Sequence, residues 1–157
     1  MLFRPNHDDR IDELNERLRR AQAVTPDLVS DVIAQACPRG GEPRHARDAA
    51  RIDAMVEAGA WSDAVLALVK LEIPQWQLRR LLYEDGEWHC TLSRAPNLPF
   101  GVDDTVDAVH DDLPLAILLA FVGVQRDRLA SRKTEAQTTP RLMVGTNNTA
   151  VCCDNFA

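Results

Sequence analysis

The chain has 157 residues, 45% of them hydrophobic and 27% charged. That is the size and balance of one ordinary folded domain, and it excludes a wholly disordered chain. The net charge of −6 repels phosphate backbones and weighs against general nucleic-acid binding.

The first helix is expected from Asp8 to Ala23, where Ile11, Leu14, Leu18 and Ala21 recur at helical spacing behind an acidic first turn. A second begins at Thr25-Pro26-Asp27. Thr25 is a capping residue, and Pro26 occupies a position that needs no N–H. Leu28, Val29, Val32, Ile33 and Ala36 form its apolar stripe, and the segment from Pro38 to Pro43 ends it. Residues 1–43 therefore read as an αα-hairpin. Two further helices are expected at about Arg44–Ala58 and Ser62–Leu71, and Pro74 stops the second.

A β-hairpin is the clearest feature, from Trp76 to Ser93. Asp85-Gly86 suits a two-residue turn whose central residues both need positive φ. Glu84 then faces Glu87, Tyr83 faces Trp88, Leu82 faces His89 and Leu81 faces Cys90. Strict alternation gives a core face of Leu81, Tyr83, Trp88, Cys90 and Leu92. It gives a mixed face of Trp76, Leu78, Arg80, Leu82, His89 and Thr91. A loop follows from Ala95 to Asp104, then a short helical turn at Thr105–Val109. The last helix opens at Pro114 behind Asp111 or Asp112 and is apolar on nearly every face to Leu129, which marks it as central to the core. Its longest apolar run, Leu113 to Val124, is 12 residues, too short to span a bilayer. The fold class expected is α+β: helices packed on a small antiparallel hairpin sheet in residues 44–133, with a flexible tail at 134–157.

The run Trp76-Gln77-Leu78, then Tyr83-Glu84-Asp85-Gly86-Glu87-Trp88-His89-Cys90, then Leu113-Pro114-Leu115-Ala116-Ile117-Leu118-Leu119-Ala120 resembles the phage ABA-sandwich class. It is similar also to small proteins of rhizobia and related bacteria. The resemblance covers about residues 50 to 125 and rests on core residues and one turn. It implies a short antiparallel sheet between helices. The class has an extra strand that is not legible here. Neither group implies an activity, so no functional residue carries over.

Candidate chemistry is sparse. Adjacent strand residues point to opposite faces, so His89 and Cys90 do not chelate one ion together. Cys90 reads as a buried inert thiol and His89 as an exposed strand histidine. His110-Asp111-Asp112 offers a metal or acid–base reading only if His110 meets His89, and helix capping accounts for the aspartates. The acids from Asp103 to Asp112 lack the glycine and alternating ligands of a calcium loop. Glu84, Asp85 and Glu87 read as a solvated turn. Cys152 and Cys153 read as exposed thiols of the tail, with reactivity open. The opening sequence lacks a signal-peptide apolar run, and the cysteines show no framework spacing. Both point to a reducing, cytoplasmic setting without membrane attachment.

The expectation is thus a small cytoplasmic, non-enzymatic interaction or regulatory module, with no cofactor and no metal. Its partner surface is placed at Trp76, Arg80 and His89. A protein partner or a homodimer fits, because a two-stranded sheet has exposed edges. The alternative is a small metal-binding protein or enzyme using His89, His110 and nearby aspartates. A nucleic-acid binder using Arg79 and Arg80 ranks last.

Overall fold

The computed structural model describes residues 6–99 and 101–138. Cys152, Cys153 and the tail from 139 onward lie outside them. Five α-helices and three strands follow in the order α1 (His7–Arg20), α2 (Pro26–Ala36), α3 (Ala46–Glu57), α4 (Trp61–Glu72), β1 (Gln77–Glu84), β2 (Glu87–Ser93), β3 (Thr105–His110) and α5 (Leu113–Thr138). Two single turns of 3-10 helix, Arg39–Gly41 and Pro43–His45, link α2 to α3. The fold is α+β.

The helices start where local chemistry directs. Asn6 caps α1 in a reciprocal capping box with Asp9. Thr25 accepts the Leu28 N–H at 3.3 Å and Pro26 opens α2. Asp112 accepts the Leu115 N–H at 3.0 Å, so Asp112 rather than Asp111 caps α5. No described helix is long and apolar enough to cross a membrane.

α5 is the spine of the core. Leu115 to Val122 and Val124 are buried, as the all-round apolar pattern requires. α1 and α4 pack against it with Ile11, Leu14, Leu18, Val65, Leu68 and Val69. Polar ties hold the αα-hairpin to it. Arg126 donates to Asp12 at 2.6 Å, Lys133 pairs with Asp8, and Gln125 Nε2 donates to the Ala36 carbonyl at 2.8 Å. Arg17 and Asp31 join α1 to α2 at 2.6 Å. α5 also runs further than expected, to Thr138.

The sheet has order β1-β2-β3, antiparallel throughout. The hairpin register from Glu84↔Glu87 to Leu81↔Cys90 is the expected one, with Asp85 at φ 55° and Gly86 at φ 89°. Two features correct the sequence expectation. The segment expected as a helical turn at Thr105–Val109 is the strand β3, paired along β2 from Trp88↔His110 to Ser93↔Thr105. And β1 carries a bulge. Leu78 pairs with Leu92 while Arg80 pairs with Thr91, so Arg79 is one residue too many. The extra residue reverses the alternation. Leu78 joins Leu92 on the α5 side instead of sharing a face with His89.

Candidate functional site: the open edge and outer face of the sheet

α5 packs across β3 and β2, where Cys90 and Leu92 are buried. α5 packs chiefly on those two strands and less on β1. Leu78, Leu81, Leu82 and Tyr83 are 38%, 37%, 36% and 57% exposed. Leu81 and Tyr83 project on the α5 side and Leu82 on the other, because neighbours on a strand alternate. The Tyr83 ring contacts Trp88 at 5.0 Å between centroids, tilted by 49°. β1 is also an edge strand, so its outward N–H and C=O groups meet no further strand among the described residues.

The outer face is built of three rows. Leu82, His89 and Val109 form the first; Arg80, Thr91 and Asp107 the second; Gln77, Ser93 and Thr105 the third. Thr91 and Ser93 are enclosed although they point away from α5. Asp107 accepts the Thr91 hydroxyl and Asp103 accepts that of Ser93. Asp103 anchors the loop between β2 and β3 over this corner. It accepts the Ala95 N–H at 2.8 Å and a bond from Arg79 at 2.9 Å, while Arg79 also donates to the Leu98 carbonyl at 2.6 Å. The bulge therefore aims Arg79 into the loop. Burial works to raise the Asp103 carboxyl. The bonds from Ser93, Ala95 and Arg79, with the Arg79 charge, outweigh it and hold the group below its ordinary range.

The expected surface residues divide. Arg80 and His89 share the outer face, in neighbouring rows. Trp76 leaves them. It precedes the bulge, packs against the core, and lines a groove of about 610 Å³ with Arg94, Asp104, Asp127, Arg128, Arg132 and Glu135. Burial lowers the pKa of Arg128, and the charges of Arg132, Arg39 and Arg94 lower it further. Acids and arginines alternate in this groove, so it presents no single sign of charge to a ligand.

His89 and His110 do not meet. His89 pairs with Val109 on the outer face, and His110 pairs with Trp88 on the α5 side. His110 is buried at the α5 entry, its Nδ1 lying 2.9 Å from the Asp112 nitrogen and 2.7 Å from Asp111 Oδ1. Nδ1 accepts the Asp112 N–H. Among the described residues, no group of three or more His, Cys, Asp or Glu is placed to hold a metal ion.

Sequence reasoning missed the apolar edge. Leu81 and Tyr83 carried the signal, but a hairpin core face looks the same whether or not a helix covers both strands. No family model matches the chain, and neither a curated protein nor a solved structure does.

Proposed function

We propose that this chain is a non-enzymatic interaction module that receives a partner's extended strand on the β1 edge. One observation carries the reading: an eight-residue edge strand exposes four large apolar side chains, on both faces of the sheet. Edge strands are ordinarily short, charged along their length or covered. An edge left both open and apolar suits strand addition, in which main-chain bonds supply affinity and alternate side chains supply selectivity. Arg80 and His89 flank Leu82 on the outer face, where they would select the partner. The cytoplasm suits this role, because Cys37 and Cys90 are unpaired thiols. The net charge of −6 supports a protein partner over a nucleic acid.

The test is affinity capture from the native cell, comparing the wild type with Leu81→Lys/Tyr83→Lys. Both side chains are exposed, so the double variant is expected to fold, which circular dichroism checks. Proteins captured by the wild type and lost from the variant support the edge. Identical captured sets overturn it.

A further inference from the structure

The outer half of β1 is its own charge complement. Between the bulge and the turn it reads Arg80-Leu81-Leu82-Tyr83-Glu84: a cation, three apolar residues, an anion. All five are exposed. Arg80 and Glu84 have no ion-pair partner among the described residues. Glu84 instead stands opposite Glu87, a like-charge cross-strand pair that destabilises the hairpin tip.

We infer that β1 pairs antiparallel with β1 of a second copy, with Leu82 opposite Leu82 on the two-fold axis, Leu81 opposite Tyr83, and Arg80 opposite Glu84. This rests on β1 as a docking edge and names its occupant.

Three properties select this register. The first is backbone direction. In a two-residue hairpin the flanking residues, here Glu84 and Glu87, exchange both backbone bonds, and the direction alternates along the strand. The N–H and C=O of Leu81 and Tyr83 then point away from β2. Placed opposite each other, they exchange two bonds, and symmetry repeats them.

The second is the match of faces. Leu82 meets Leu82 on the outer face. Leu81 and Tyr83 meet on the α5 side, where both side chains are exposed. All the exposed apolar residues of the segment therefore find apolar partners.

The third is charge. Arg80 of each copy stands opposite Glu84 of the other and relieves the Glu84/Glu87 repulsion. A shift of two residues in either direction puts Leu82 against Arg80 or Glu84 and loses both ion pairs. The bulge at Arg79 and the turn at Asp85-Gly86 bound the pairing segment at its ends. The contact is isologous and closes at two copies.

The experiment is sedimentation of the full chain from low to high micromolar concentration. The expected mass is twice 17.5 kDa. Arg80→Glu and Glu84→Arg each create two like-charge contacts and weaken dimerisation about tenfold. The double variant Arg80→Glu/Glu84→Arg regains wild-type affinity, because the pairs are restored with their signs exchanged. Circular dichroism confirms that each variant is folded. In a Cys152→Ser/Cys153→Ser background, Leu82→Cys oxidises to a covalent dimer, since a non-hydrogen-bonded pair brings its Cα atoms to about 4.5 Å. Single variants that weaken the dimer without recovery in the double overturn the register. A monomer at every concentration overturns self-pairing altogether. If such a monomer still loses captured proteins on Leu81→Lys/Tyr83→Lys, the edge serves another protein. If it loses none, the docking edge falls as well.

Discussion

Gly123 lets α5 settle directly on the Val106 side chain of β3: a Cβ at position 123 would stand 2.7 Å from Cγ1 of Val106. Real carbon atoms do not approach so closely, so either the helix or Val106 must move. Overpacking costs about 1–3 kcal/mol. Removing a helical glycine returns about 1 kcal/mol. Gly123→Ala is therefore expected to destabilise by about 1 kcal/mol, read from the urea midpoint. In a Val106→Ala background the clash is gone and the same change stabilises. A Gly123→Ala that stabilises in both backgrounds would show that helix and strand are not in tight contact.

Glu72 joins the end of α4 to the turn after α2. It is 1% exposed, and its carboxylate accepts the N–H groups of Gly40 at 2.6 Å and Arg39 at 3.1 Å. Glu72→Leu leaves both donors without a partner, at about 1–3 kcal/mol for each donor that stays dry. Glu72→Gln retains an acceptor oxygen and loses less. Chemical denaturation ranks wild type, Gln and Leu in that order. Amide exchange at Gly40 accelerates in the Leu variant. Equal stability of all three would show that water replaces the carboxylate.

The Asp103 anchor gives the sheet an acid limit. Its folded pKa lies below the unfolded value of about 3.9, because the bonds it accepts favour the charged form. The stabilisation is fully present above the unfolded pKa and is lost as pH falls through the folded one. Asp103→Asn removes this dependence. The gap in urea midpoint between wild type and variant is expected to be constant at neutral pH and to close below about pH 4. A gap that stays constant into strong acid would assign the effect to shape rather than charge.

The two described thiols should be inert while the protein is folded. Burial, and then the charge of Asp107, pushes the Cys90 thiol up to about 12. Burial and then Glu72 push Cys37 up as well. The thiolate is the reacting species, so neither reacts at pH 8. In the Cys152→Ser/Cys153→Ser background, a thiol reagent should give no signal until denaturant is added, and then two equivalents. Fast labelling of the native chain would reveal local opening around either residue.

The helices and the hairpin were legible because their signals are local. Thr25-Pro26 and Asp112 are caps, and Asp85-Gly86 fixes both turn and register. β3 was not, because its strand signal is short and irregular. Val106 and Ala108 alternate with Asp107, but Val109 then faces outward and His110 inward. The candidate surface was half legible. Arg80 and His89 fall together by simple alternation. Trp76 and Leu78 do not, since a bulge needs no glycine and Arg79 gives no sign of one. Its reason lies in Asp103 and Leu98, 24 and 19 residues away.

The order β1-β2-β3 under a helix that packs chiefly on β2 and β3 also sets a gradient of protection. β2 and β3 are clamped by α5, so their amides exchange only when much of the domain opens. β1 is held chiefly by its ladder to β2, with little apolar burial behind it. It is the first strand to fray, and exchange at Leu81 and Tyr83 is open from the solvent side. A bound strand would slow those two amides before any others. The persistence of β1 is thus set largely by what lies outside the chain, while the rest of the sheet is held from within.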